Sequence, residues 1–259
     1  MVPVYAFIDT HCHVDFPPFF DAAQATLEQA LDGGVEKIVV PSIDVDSMAR
    51  VLTVSASSPR LYPALGLHPL YIERHQEQSL QRLAELIERH RSDIVAMGEI
   101  GLDNYMANPQ MPRQLHFLDE QIRLAKAHQL PLILHSRRTH DQLAKKLRQH
   151  QWNHGVVHGF SGSYEQAMAF IDLGIYIGVG GVITYPRANK TRQAIARLPL
   201  ERLLFETDAP DMPVNGFQGQ HNRPERIIYI LDALASLREE PKALIASQLY
   251  QNSLDLFSL

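Results

Sequence analysis

The stretch "FIDTHCHVD", Phe7 to Asp15, decides between two folds. A short apolar run opens it, and two histidines follow with one residue between them. On an extended chain, residues i and i+2 point to the same face. His11 and His13 would then present two imidazoles side by side, with Cys12 turned away. A doubly wound open sheet would carry a glycine-rich phosphate loop after its first strand. Here the same position holds a chelating pair.

Outward from that stretch, short β-branched apolar runs alternate with amphipathic segments. The runs are "VYAFID" (4–9), "KIVVPS" (37–42), "LYPALG" (61–66), "IVAMGE" (94–99), "PLILHS" (131–136), "GVVHGF" (155–160), "IYIGVG" (175–180) and "LLFETD" (203–208). Helix signals lie between them. The segment "FDAAQATLEQALDGG" closes on Gly33 and Gly34. The segment "SGSYEQAMAFIDLG" opens with a capping box, Ser163 with Gln166. Eight strands alternating with helices, in a chain of 259 residues, predict a (β/α)8 TIM barrel. No linker, repeat or low-complexity tract divides the pattern, so residues 1–259 read as a single α/β domain.

Barrels keep their chemistry at the C-terminal ends of the strands. Read in order, those ends supply His11 and His13, then Glu99, His135, His158 and Asp208. A lone strand-end histidine is usually a packing residue. Six donor residues at five strand ends are not explained that way. Imidazole suits Zn or Mn, and carboxylate suits harder ions such as Mg. The expectation is a centre for two divalent metal ions: His11, His13 and Asp208 on one, His135 and His158 on the other, and Glu99 shared. Such a pair activates water and clamps both oxygens of a displacement.

Composition narrows the function classes. The net charge is −5, the wrong sign for a protein that coats nucleic acid. A hydrolase that grips one or two phosphates remains compatible. The single cysteine, Cys12, excludes an internal disulfide and fits a reducing compartment. The first residues lack the pattern of a signal peptide, and no apolar run approaches the roughly 18 residues of a membrane span. A cytoplasmic protein without a membrane or an obligate protein partner is expected.

The motifs "DTHCHVD", "ALGLHP", "MGEIGLD", "LILHSR", "VHGFSGS" and "RLLFETDAP", with a later "NRP", resemble the TatD family of metal-dependent deoxyribonucleases, within the amidohydrolase-like barrels. The match runs from about Ile8 to Pro224 and, in helix layout, to the end of the chain. The resemblance implies hydrolysis of DNA phosphodiester bonds. It implies metal ligands at His11, His13, Glu99, His135, His158 and Asp208, with Asp208 and Glu99 catalytic and Asp208 orienting or deprotonating the attacking water. The chain departs from the family pattern at Asn104-Tyr105, where members often show an aromatic pair. It departs again at Gln220-His221, where an arginine is common near the Asn-x-Pro. Both departures fall in loops that would meet substrate.

Three further residues are candidates for binding DNA or another nucleic acid: His68 after strand three, Arg137 beside His135, and Asn222 in "HNRP", which could bond either the rim loop or substrate. Arg137, Arg138, Arg187 and Arg223 suggest a basic rim, whereas Lys190 and Arg192 after strand seven read as a solvated helix face. The donor set does not separate phosphorus from carbon electrophiles. The alternative is therefore a hydrolase of a carbon ester or amide, such as a D-aminoacyl-tRNA deacylase.

Overall fold

β-Branched runs flanked by turn residues become strands where both faces are covered, because only burial makes a near-continuous apolar run favourable. The computed structural model describes residues 5–259. It contains eight strands: β1 (Phe7–Asp9), β2 (Val35–Pro41), β3 (Leu61–Leu65), β4 (Ala96–Asp103), β5 (Leu132–Arg137), β6 (Gly155–Val157), β7 (Tyr176–Val179) and β8 (Leu203–Phe205). All adjacent pairs are parallel, in the order β1 to β8. The helices are α1 (Ala23–Asp32), α2 (Val45–Ser55), α3 (Glu77–Arg89), α4 (Met111–His128), α5 (His140–His150), α6 (Tyr164–Ile171), α7 (Asn189–Arg197), α8 (Ile227–Leu237) and α9 (Lys242–Phe257). This is the single-domain (β/α)8 barrel the sequence predicts.

The predicted helix ends form as expected. Gly33 caps α1, and Gly34 takes φ 87°, where a side chain would strike the Tyr5 carbonyl. Ser163 Oγ accepts from Gln166 N, and Gln166 Oε1 accepts from Ser163 N.

Two apolar layers fill the molecule. The larger lies between strands and helices, and Cys12 is buried in it. The smaller gathers Val39, Ala64, Ala96, Ile133, Val156 and Leu204 from six strands, with Leu256 and Phe257 from the end of α9. It is the floor of the barrel, on the side where the strands begin.

Most strand bounds shift by a residue or two, β6 ends at Val157 rather than residue 160, and three further differences bear on the site. The first run is expected from Val4, which lies outside the described residues; the ladder begins at Phe7. Strand β4 continues past Glu99 to Asp103. It can do so because Gly101, at φ 146°, pairs with His135 where any Cβ would collide with the His135 carbonyl. Strand β8 stops at Phe205, since its continuation bonds the N-terminal segment instead. Thr10 N donates to Phe205 O at 3.0 Å, and Asp208 N donates to His11 O at 2.8 Å. The buried Asp9 carboxylate accepts both the backbone N–H and the hydroxyl of Thr207. These bonds join the first strand to the last.

Candidate metal centre

On β5 and β6 the two-residue period of a strand carries a donor above a floor residue. Ile133 points into the floor and His135 stands above it. Val156 and His158 repeat this, and Glu206 follows Leu204 in the same way at the end of β8, with Asp208 beyond the strand at φ 55°. His11 and His13 leave β1 with their rings edge to face, 5.0 Å between centroids.

All six predicted donors meet at this level. Glu99, 2% exposed, divides its two oxygens. Oε2 lies 3.1 Å from His11 Nε2 and 3.7 Å from His13 Nε2. Oε1 lies 2.7 Å from His158 Nε2 and 3.0 Å from His135 Nδ1. Asp208 Oδ1 completes the first side, 3.5 Å from His11 Nε2 and 3.8 Å from His13 Nε2. The two sides touch, for the His11 and His158 rings stack at 4.0 Å.

The chemistry of the donor set fits divalent metal. Nε2 of His11 faces Nε2 of His13 at 3.3 Å, and His135 Nδ1 faces His158 Nε2 at 3.3 Å. Facing ring nitrogens repel unless a proton or a cation lies between them. Among the described residues, no Lys or Arg comes within 4.0 Å of Glu99, Glu206 or Asp208. Buried carboxylates without a cation are costly. The titration pattern expresses that demand. Burial lifts the Asp208 carboxyl well above its usual range. Burial opposes charge on His158 too, but the Glu99 carboxylate beside it raises this imidazole to about 10. Burial drives His11 well below the usual histidine range. The cage thus draws protons to a few atoms where a metal would supply the charge. Buried Nδ1 atoms of His11, His13 and His158 have no hydrogen-bond partner among the described residues.

The centre opens into a cavity of about 710 Å³ at the strand ends. One wall is apolar, with Phe16, Leu70 and Tyr71; the other carries Arg137 and Arg138.

Comparison with known proteins places this geometry. A family model described as "TatD related DNase" matches residues 8–258. The chain belongs to the TatD family. It is 54% identical over 254 residues to a protein of Escherichia coli K12 named "Uncharacterized metal-dependent hydrolase YjjV", covering 98% of each chain. A relative from Haemophilus influenzae, also named a metal-dependent hydrolase, is 45% identical and covers 97% of this chain and 99% of its own. The crystal structure of the Escherichia coli YjjV protein, described as a TatD homolog, superposes with a TM-score of 0.97 at 53% identity, covering 99% of this chain and 100% of that one. This TatD protein is therefore a metal-dependent hydrolase.

Two carboxylates at the TatD centre were not singled out by sequence. Asp103 Oδ2 lies 3.0 Å from His135 Nε2 and fixes that ring from behind. Its Oδ1 accepts from Tyr105 N at 2.7 Å. Glu206, fully buried, accepts from Gly159 N and lies 3.9 Å from His158 Nδ1. Each lies near a recognised donor: Asp103 shares the face of β4 with Glu99, four residues before it, and Glu206 directly follows β8, two residues before Asp208.

The expected substrate residues separate. Arg137 lines the cavity, its guanidinium 3.9 Å from the centre of the Tyr105 ring. His68 lines it too. Its Nδ1 accepts from Leu70 N at 2.9 Å, so a neutral His68 carries its proton on Nε2, 2.7 Å from Glu99 Oε1. Asn222 is not on the cavity wall. It is fully buried, and its amide nitrogen donates to Thr207 O and Met212 O, which ties down the loop after β8. Of the two roles expected for Asn222, loop or substrate, these bonds serve the loop-holding one. The basic rim is also narrower than expected, because Arg223 bonds Glu225 and Gln29. Arg192 bonds the Ile183 carbonyl.

Proposed function

We propose that this chain hydrolyses phosphodiester bonds in DNA with two divalent ions, Zn, Mn or Mg. One ion would be held by His11, His13 and Asp208, the other by His135 and His158, with Glu99 reaching both. The observation that carries the reading is the division of Glu99, one oxygen toward each group of imidazoles. The description of the matching family as a DNase supports the choice of substrate.

Bound there, such ions would supply Lewis acidity, lowering the pKa of a water and neutralising charge on phosphoryl oxygens. The rest falls to the chain's own side chains. Asp208, the most exposed of the carboxylates at the centre, orients the attacking water and takes its proton on a carboxylate oxygen. Asp103 holds His135 with Nδ1 free of hydrogen. His68 directs an uncharged Nε2–H at Glu99 Oε1 and helps to fix that carboxylate. Arg137 meets a phosphate oxygen with a planar pair of N–H groups. Phe16, Leu70 and Tyr71 cover the apolar face of the sugar and base and exclude water.

The test is cleavage of end-labelled single- and double-stranded DNA by the purified protein, with Mg, Mn or Zn added or chelated, and Asp208→Asn alongside. Metal-dependent shortening that Asp208→Asn abolishes supports the reading, together with two ions counted per chain. Two bound ions and intact DNA would overturn the nuclease assignment and turn the question to carbon esters, aminoacyl-tRNA first.

A further inference from the structure

A second cavity of about 590 Å³ lies beside the catalytic one. It belongs to the loops after β5, β6 and β7. Arg138, His140 and Ser161 line both, so the two share a wall. The charge around the second cavity is opposite to that of the chain. Arg138, Arg187 and Lys190 line it, against one carboxylate, Asp141. Among the described residues none of these three cations lies within 4.0 Å of a carboxylate, although acids outnumber bases in the chain. Uncompensated cations converging on a concavity raise the local concentration of anions.

The remaining lining residues explain why the cations are left over. His140 is committed at both nitrogens, to Ser136 Oγ at 2.6 Å and to the Ser161 carbonyl at 3.1 Å. Gln166 is committed to the cap of α6. Ser161 and Thr191 hydroxyls face each other at 3.3 Å. The two arginines meet aromatic rings but no anion: Arg138 lies 4.3 Å from the centre of the Tyr105 ring and Arg187 5.0 Å from that of Tyr185. Lys190 also stands in the first turn of α7, which has no acidic residue there and no side-chain cap. A cation at the positive end of a helix is unfavourable. Local rules are broken in this way where a ligand supplies the compensation.

We propose that this second cavity is a subsite for a further phosphate of the same nucleic-acid strand, displaced along the backbone from the bond being cut. The inference rests on the phosphodiesterase reading above and deepens it: the preferred substrate is a strand long enough to reach both cavities. Arg138, on the shared wall, stands between the two phosphates, with its guanidinium 4.3 Å from the centre of the exposed Tyr105 ring. Arg187 and Lys190 grip the distal one.

The experiment uses the double variant Arg187→Gln with Lys190→Gln, and the charge-keeping pair Arg187→Lys with Lys190→Arg. Both positions are exposed, so neither change disturbs packing. Binding of a labelled single-stranded oligonucleotide to metal-stripped protein is followed by anisotropy across a salt series. Removing two partly screened ion pairs with phosphate should weaken binding roughly tenfold. The salt slope should fall by about 0.7 to 1.4, for one or two phosphates on a single strand. The charge-keeping pair should bind as the parent does. With metal restored, the glutamine variant should lose its preference for the oligonucleotide over a small chromogenic phosphodiester, through KM rather than kcat. Unchanged affinity and salt slope in the glutamine variant would overturn the subsite. So would competition by inorganic phosphate that Arg187→Gln with Lys190→Gln leaves unaltered. A parent protein that hydrolyses no diester would instead overturn the phosphodiesterase reading. The anisotropy series would still decide the subsite.

Discussion

Replacing Asp103 by Asn should cost the protein its metal rather than its fold. The two oxygens of Asp103 serve two different hydrogens. Oδ1 accepts from Tyr105 N at 2.7 Å, and Oδ2 accepts from His135 Nε2 at 3.0 Å. Asparagine has one oxygen. If that oxygen stays with the Tyr105 amide, the new NH2 group faces His135 Nε2 and meets its hydrogen. The imidazole must then move its proton to Nδ1, the nitrogen that faces Glu99 Oε1 at 3.0 Å. A protonated Nδ1 has no lone pair to offer a metal. If the amide turns over, the part-buried Tyr105 N–H loses its acceptor, a penalty of about 0.5–1.5 kcal/mol. Either way the loss is of the size seen when a carboxylate behind a metal-binding histidine is removed, roughly tenfold to a hundredfold in affinity, or about 1.4–2.7 kcal/mol. Titration of metal-stripped protein against a chromophoric chelator measures it, and a thermal melt of the stripped variant checks the fold. Parental metal affinity in Asp103→Asn would refute the argument that this carboxylate sets the tautomer of His135.

Three other outcomes are expected. Chelation should lower the melting temperature by roughly ten degrees, since an ion at a thousandfold excess over its Kd contributes about 4 kcal/mol; scanning calorimetry with and without metal reads it. Asp119 bridges α4 and α5 through Lys146 and His150, each at 2.7 Å. Burial opposes its charge, but those two partners hold its carboxyl below the usual 3.8. The stabilisation is present above that value and is lost as pH falls through the lowered one. Asp119→Asn should therefore cost about 1 kcal/mol at neutral pH, and urea melts of parent and variant should converge in strong acid. Phe257→Ala opens the floor of the barrel far from the chemistry. It should cost about 3 kcal/mol in urea denaturation and leave KM unchanged.

The architecture was legible because all eight buried strands announce themselves as short apolar runs, six of them with Val or Ile, a signal that is local. His11, His13, Glu99, His135, His158 and Asp208 were legible for a related reason. A strand's period of two makes residue type plus position near a strand end equivalent to a direction in space. Asp103 escaped because the apolar run of β4 ends at Glu99. Its continuation depends on the close approach at Gly101, which needs knowledge of β5. The role of Asn222 was ambiguous in sequence because its partners are carbonyls 10 and 15 residues away. The second cavity is least legible of all. It exists only where the loops after β5, β6 and β7 converge, and nothing in "RANKTRQ" shows that Arg187 and Lys190 face Arg138 across it.

The join between the first and last strands has a consequence for the order of events during synthesis. His11 and His13 are made long before Asp208 and Thr207, Thr207 lying 198 residues from its partner Asp9. Until then the chain can gather Glu99, His135 and His158, but the side of the centre around His11 and His13 lacks Asp208. That side is completed only with the eighth strand, and an ion held there would rivet the two ends of the barrel together. A chain truncated before β8 is thus open at the seam and short of one donor, so that a fully occupied centre certifies a finished fold.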